Sequence, residues 1–318
     1  MTSLNGYIQG LGSGKVYPPK WSELGYPDTP LEVLSAFDYA KNIKDNWTYT
    51  SGTIPKYTND KSLFFFPNVN IDESLGYNAM FEGSNLMHIE PCIIGVETYS
   101  GTVNCQTMFK QTLIEKISIS GKDSSQLFNT NNMFFECKNL KEAGINLKSN
   151  NCQSMFYGCL SLEKVNGNFD TSTAANFSTM FQGCLDLTSV PNLDTTSGTN
   201  MNRMFTDCSN LETAPQMNTA SVTNFSQMFW KCTGLKNLPL FAFTSATNLS
   251  NMFQATGSNL TEQSRDNLLH SLTSATSYTG TKTLAQLGFT SSMYSAASWQ
   301  ALTHYSDFTT AGWSIGYS

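Results

Sequence analysis

The chain has 318 residues, of which 40% are hydrophobic and 13% charged, with a formal net charge of −6. The charged share is about half that of an ordinary soluble domain, and the absence of a basic run argues against nucleic acid as a partner. No apolar run approaches the 18 residues of a membrane span, so no membrane insertion is expected.

Residues 1–75 do not repeat and are rich in aromatics, from Tyr7, Tyr17, Trp21 and Tyr26 to Phe64, Phe65 and Phe66. Gly10 to Pro19 reads as an irregular arm. Thr29-Pro30-Leu31-Glu32 is a capping box with proline at the first helical position. Val33, Phe37, Ala40, Ile43 and Trp47 then fall on one helical face. An arm and one helix hold too little core to fold alone. The segment is therefore expected either to cap the first repeat or to attach to another chain, with Trp21 and Tyr26 as candidate contact residues. The first twenty residues lack the charged and apolar regions of a signal peptide, and no lipobox-like cysteine stands near the start. Either an anchor lies outside this chain, or the protein reaches its site without secretion.

Residues 76–260 repeat. Met-Phe occurs at Met80, Met108, Met133, Met155, Met180, Met204, Met228 and Met252. With 13 Met and 21 Phe, chance would give about one such pair. A fixed period of this length means stacked units that cannot bury their apolar faces singly. Aligned on the Met, asparagine stands four residues earlier, at Asn104, Asn129, Asn151, Asn176, Asn200, Asn224 and Asn248. Cysteine stands four later, at Cys137, Cys159, Cys184, Cys208 and Cys232, and leucine seven later, at Leu140, Leu162, Leu187, Leu211 and Leu235. Pro91, Pro191, Pro215 and Pro239 occupy a further column, shared with Gly144 and Asn166.

The spacing Phe177, Met180, Phe181, Cys184 predicts a short helix, with Asn176 as its N-cap. Leu187 to Val190 predicts an extended segment, and Asp170-Thr171-Ser172 and Asp194-Thr195-Thr196 predict turns. The fold class expected is an α/β repeat of about eight strand-turn-helix units, about 5 Å apart and about 40 Å long in all. Phe181, Phe205 and Phe229 should form one interior column. The five regular cysteines should form a parallel ladder of reduced, buried thiols. On that basis Cys184→Ser should cost about 1–3 kcal/mol, by burying a hydroxyl among apolar groups.

Residues 261–318 read as a terminal cap. Thr261 to Leu272 has helical character with Leu268, Leu269 and Leu272 apolar, Met293 to Tyr305 reads as a second helix, and Trp313-Ser314-Ile315 as a last strand.

The pattern Asn-x-x-x-Met-Phe-x-x-Cys-x-x-Leu followed by Asp-Thr-Ser resembles the BspA-like leucine-rich repeat of bacterial surface proteins, also seen in mycoplasma lipoproteins. The match is closest from Met133 to Met228; Ser84, Thr112 and Thr256 replace cysteine in the outer copies. The resemblance implies a right-handed leucine-rich-repeat solenoid with a narrow parallel sheet, used for adhesion and recognition. A second, shorter resemblance lies at the ends. Trp21 to Tyr26, Thr29-Pro30 and Phe37 to Lys41 are similar to virion proteins of crAss-like Bacteroidetes phages, as is Ala311-Gly312-Trp313-Ser314-Ile315.

Three surfaces offer candidate sites. Phe135, Tyr157 and Trp230 stand two residues after their Met, in a column of mostly polar residues, and could contact a glycan or a partner chain; covering neighbouring loops is the alternative. The pairs Lys141-Glu142, Glu163-Lys164, Thr188-Ser189, Glu212-Thr213 and Lys236-Asn237 form a polar strand face, for which plain solvation is the simpler reading. Asp170, Asp194 and Asn218 share a column that could bind calcium, but turn hydrogen bonding accounts for them more simply. No metal, cofactor or catalytic residue is assigned, and no enzyme activity is expected. The leading functional expectation is a non-enzymatic phage virion component. It would attach to other virion proteins through residues 1–75 and present the repeats to a host glycan or protein. The alternative is a bacterial cell-surface adhesin. Self-association is compatible with either.

Overall fold

A computed structural model describes residues 65–66, 77–86, 88–89, 92–94, 101–121, 123–190 and 192–317. The helix expected over Thr29 to Trp47, and Trp21 and Tyr26, lie outside these residues. Among the described residues there are nine short strands: β1 (Phe65–Phe66), β2 (His88–Ile89), β3 (Cys92–Ile94), β4 (Val103–Asn104), β5 (Lys116–Gly121), β6 (Leu127–Asn129), β7 (Glu142–Asn146), β8 (Lys148–Asn151) and β9 (Lys164–Asn166). All pairing among these residues is parallel. β1 pairs with β2, one sheet runs β3-β5-β7-β9, and another runs β4-β6-β8. In the four-stranded sheet Ile117 faces Ala143 and Ala143 faces Val165, so their side chains form one buried row. Lys116, Glu142 and Lys164 form the outward row, as the twofold alternation of a strand requires. Beyond β9, among the described residues, the ladders continue as single bridges, Lys148–Asp170 and Asn176–Asn200–Asn224–Asn248 on one side and Thr213–Asn237 on the other.

The core is a column of rings. Phe81, Phe109, Phe134, Phe156, Phe181, Phe205, Phe229, Phe253 and Phe289 stack in order, with centroids 5.2–5.7 Å apart. Beside them the Met of every Met-Phe pair is fully buried.

The expected repeat helices are absent among the described residues; tight turns replace them. The ring spacing supplies the reason. An α-helix is about 10–12 Å across, so helices cannot stack side by side at 5–6 Å. The turns solve this by dividing their amides. The N–H groups of Met180, Gln182 and Cys184 bond the carbonyls of Phe177, Thr179 and Phe181 within the repeat. Those of Thr179, Phe181 and Gly183 donate at 2.8–2.9 Å to Asn202, Met204 and Thr206 of the next repeat. The alternation requires left-handed backbone just before the Met and three residues after it: Thr179 has φ 56° and Gly183 φ 77°. The column asparagines accept an amide as expected, but in turns. Oδ1 of Asn176, Asn200, Asn224 and Asn248 takes the N–H two residues on, at 3.0–3.1 Å.

Cys137, Cys159, Cys184, Cys208 and Cys232 are buried free thiols. Each donates its S–H at 2.9–3.1 Å to the Phe carbonyl of the preceding repeat. The ladder is therefore hydrogen-bonded as well as packed. Where a hydroxyl replaces the thiol, it finds the Phe carbonyl of its own repeat, as Ser84, Thr112 and Thr256 do at 2.7–2.8 Å. This corrects the cost expected for serine. Cys184→Ser should lose about 1 kcal/mol at most, since its hydroxyl has an acceptor in reach; denaturant melts of the reduced protein measure it. Burial pushes the Cys137 thiol up to about 11 and Cys152 to about 12, and holds Cys159, Cys184, Cys208 and Cys232 well above the usual thiol range. Labelling of the native protein by a thiol reagent should therefore be slow, becoming fast on denaturation.

The cap begins as expected with α1 (Glu262–Thr273), whose N-cap Thr261 accepts the Ser264 amide and whose Leu268, Leu269 and Leu272 are buried. Of the second expected helix, Met293 to Tyr305, only α2 (Ala296–Gln300) forms, and a further helix, α3 (Tyr305–Thr310), begins where the expected one ends. The expected last strand is a single parallel bridge, Thr283–Ser314. Leu284 to Phe289 act as a further repeat without the Met-Phe signature. Their carbonyls accept from the Asn251 and Phe253 amides at 2.8 Å, and Phe289 completes the ring column. Gly288 makes this closure possible. It has φ 98°, and an added Cβ would lie 2.6 Å from the Gln254 backbone. Gly288→Ala should cost at least about 2 kcal/mol and expose residues beyond Gly257 to protease before the repeats.

Candidate binding surface

Stacked repeats place side chains of one column about 5 Å apart, so each face is a ladder of neighbours. On the sheet face, Lys141 pairs with Glu115 at 3.0 Å, Glu142 with Lys116 at 3.6 Å and Lys164 at 3.2 Å, and Lys236 with Glu212 at 2.6 Å. Lys164 beside Glu142 holds its carboxyl below the usual range, with Lys116 adding to the effect. These pairs are solvent-exposed, so each adds little stability. Their consequence is that the charge is spent between repeats.

Between the charged runs lies a neutral window. Thr188, Ser209, Asn210, Glu212, Thr213 and Gly234 line a shallow depression of about 500 Å³. Thr188 and Ser189 are exposed, and their segment joins no ladder.

The aromatic column on the turn face is half-buried. Phe135 and Tyr157 stack on each other, 4.6 Å apart and 4° from parallel. Lys110 sits 5.7 Å over Phe135 and pairs with Glu82 at 2.8 Å. Trp230 stands three repeats from Tyr157, with Lys231 4.6 Å over its ring. A glycan stacks on ring faces, and here a neighbour covers one face of Tyr157 and one of Trp230, while Phe135 has both Tyr157 and Lys110 against it. The arrangement favours the covering role over ligand contact. Leu113, Leu160 and Leu185 share another column and are 38–40% exposed. The sequence reading passed over them because an isolated leucine carries no signal; only the repeat alignment, five residues past the Met, groups them.

The Asp170, Asp194 and Asn218 column forms turns. Each Oδ1 accepts the amide two residues on, at 3.0–3.2 Å. Among the described residues no cluster of His, Cys, Asp and Glu could hold a metal ion.

The family model described as "Mycoplasma protein of unknown function, DUF285" matches residues 103–212 and 150–265, together half of the chain. The chain belongs to this family. The matched span covers the asparagine, Met-Phe and cysteine columns from Asn104 to Met252. A leucine-rich repeat protein from Bacteroides ovatus is similar to 62% of the chain at 20% identity, with a TM-score of 0.40. The match covers 48% of that protein, so this chain spans about half its length. No curated protein matches the sequence.

In the cap, the nearly buried Asp266 accepts the His304 amide and meets its Nδ1, both at 2.8 Å, tying α1 to α3. Arg265 donates to the Ser298 carbonyl at 2.9 Å and lies over Tyr294 and Trp299. These contacts fasten the cap. Among the described residues no helix is long and apolar enough to cross a membrane.

Proposed function

We propose that the chain is a non-enzymatic recognition protein, displaying its repeat body at a surface to bind a glycan or a protein. The supporting observation is the self-paired, registered side-chain ladder. Neighbouring repeats satisfy one another's charges, which leaves a long, rigid face with a neutral window. Such a face offers complementarity with little ordering cost on binding. The body is read as a right-handed leucine-rich-repeat solenoid of about eight rungs. The repeat family favours display on a bacterial cell surface as an adhesin. A second reading, a phage virion component, draws on the residues at both ends of the chain that resemble virion proteins. In either case residues 1–75 are the proposed attachment segment.

Mass spectrometry of purified virions and of the surface fraction of the source cells separates the two places of display. A chain beginning near Asn68 should remain folded yet lose incorporation or self-association. If full-length protein is monomeric and its first 50 residues resist protease as the repeats do, the attachment role fails.

A further inference from the structure

We propose that the sheet-face window at Thr188, Asn210 and Thr213 binds a neutral saccharide; this rests on the recognition reading above and names its ligand class. The first support is a break in the parallel ladder. Ala214 donates to the Asn237 carbonyl at 2.9 Å, and Asn237 to the Glu212 carbonyl at 3.0 Å. In that pairing Asn237 spends both its backbone groups, while the N–H and C=O of Thr213 point the other way, toward Thr188 to Val190. No ladder forms there. Among the described residues no hydrogen bond joins the Thr213 N–H or C=O to Thr188–Val190, and beside them stand the Thr188 hydroxyl, the Thr213 hydroxyl, which accepts from Asn237 Nδ2 at 3.2 Å, the Ser209 hydroxyl, which donates to the Leu185 carbonyl at 3.4 Å, and the Asn210 amide.

The second support is width. The lining comes from three successive repeats, Thr188 from the first, Ser209 to Thr213 from the second and Gly234 from the third, and the first two repeats are spaced as their core rings Phe181 and Phe205 are, 5.7 Å apart. A peptide strand inserted between them would need about 4.8 Å on each side. A strand does not fit, so the unpaired groups are left to water or to a small ligand lying across the opening.

The third support is charge. Lys164 is paired to Glu142, and Lys236 to Glu212. Asp186, which accepts from Asn210 Nδ2 at 3.5 Å, adds a carboxylate acceptor at the rim. An anionic ligand would meet Asp186 and Glu212 with no free cation. Sugar hydroxyls both donate and accept, and so match a wall of mixed amides, carbonyls, hydroxyls and carboxylate. The depression, about 500 Å³ and open, suits one or two sugar units held by hydrogen bonds.

The test uses full-length protein and a panel of neutral oligosaccharides, maltohexaose, cellohexaose, xylohexaose, mannohexaose and triacetylchitotriose, with oligogalacturonate as acidic control. Binding is read by saturation-transfer NMR and calorimetry. At least one neutral sugar should bind and the acidic control should not. Thr213→Val and Asn210→Ala should each weaken binding about fivefold, the worth of one hydrogen bond, with melting unchanged. Lys116→Gln, on the same face outside the window, should leave it unaltered. Preference for the acidic sugar, no binding by any neutral sugar, or loss that does not follow Thr213 and Asn210 would overturn the proposal. The recognition reading fails separately, only if the chain also binds neither cells nor particles.

Discussion

Raising the pH from about 8.5 to 9.5 should destabilise the folded chain by several kcal/mol. Cys137, Cys152, Cys159, Cys184, Cys208 and Cys232 are all pushed upward by burial. An unfolded thiol titrates near 8.5. Above that pH the unfolded chain releases protons that the folded chain keeps, so stability falls as pH rises. The contribution is fully present below the unfolded value and drains away until pH passes the folded values, about 11 for Cys137. Each thiol loses on the order of 1 kcal/mol per pH unit, and six together on the order of 5–10, which rivals the whole stability of a domain. Denaturant midpoints under reducing conditions between pH 8 and 10 measure the slope. Replacing Cys159, Cys184 and Cys208 together with Ala should roughly halve it. An unchanged slope in that variant would mean that other groups control the alkaline limit.

The repeat was legible because its core is periodic. Eight Met-Phe pairs fixed the unit, and the asparagine, cysteine and leucine columns fixed its register. The turn geometry was not legible. The residues at φ near +55° before each Met are Ala79, Thr107, Asn132, Ser154, Thr179, Arg203, Gln227 and Asn251. None is glycine, and only the asparagines tolerate that conformation readily. Without the usual marker, the spacing of Phe177, Met180, Phe181 and Cys184 read as a helical stripe. Only the distance between repeats excludes the helix, and that distance is a property of the stack. The left-handed strain is offset by hydrogen bonds to the next repeat, which one repeat read in isolation lacks.

The surfaces divided along the same line. The turn role of Asp170 and Asp194 followed from local chemistry, because an aspartate followed by Thr or Ser closes a turn by itself. The neutral window did not. Thr188, Asn210 and Thr213 lie in two repeats and are ordinary polar residues in sequence. Their significance comes from the missing ladder between them, which is a relation between repeats. The ninth ring escaped for a related reason: α1 is inserted before Leu284 to Phe289, and the Met-Phe marker is absent.

Phe205→Ala should cost about 3–5 kcal/mol, toward the upper end for a core phenylalanine. The ring lies between Phe181 at 5.7 Å and Phe229 at 5.5 Å. A core normally recovers part of such a loss by closing in on the void. Here the neighbours are held apart, because Phe181 donates to the Met204 carbonyl and Phe205 to the Met228 carbonyl, both at 2.9 Å. The repeat spacing is set by that backbone ladder, so the void stays open and both stacking contacts are lost. Stability in a stack is a sum over repeats and their interfaces. A break in the middle weakens two interfaces and should split one melting transition into two. Tyr157→Ala, on the half-buried turn face, serves as the comparison and should cost clearly less. Equal costs at the two positions, or a loss below about 2 kcal/mol at Phe205, would mean that the ring column is packing convenience and that the backbone ladder alone holds the repeats together.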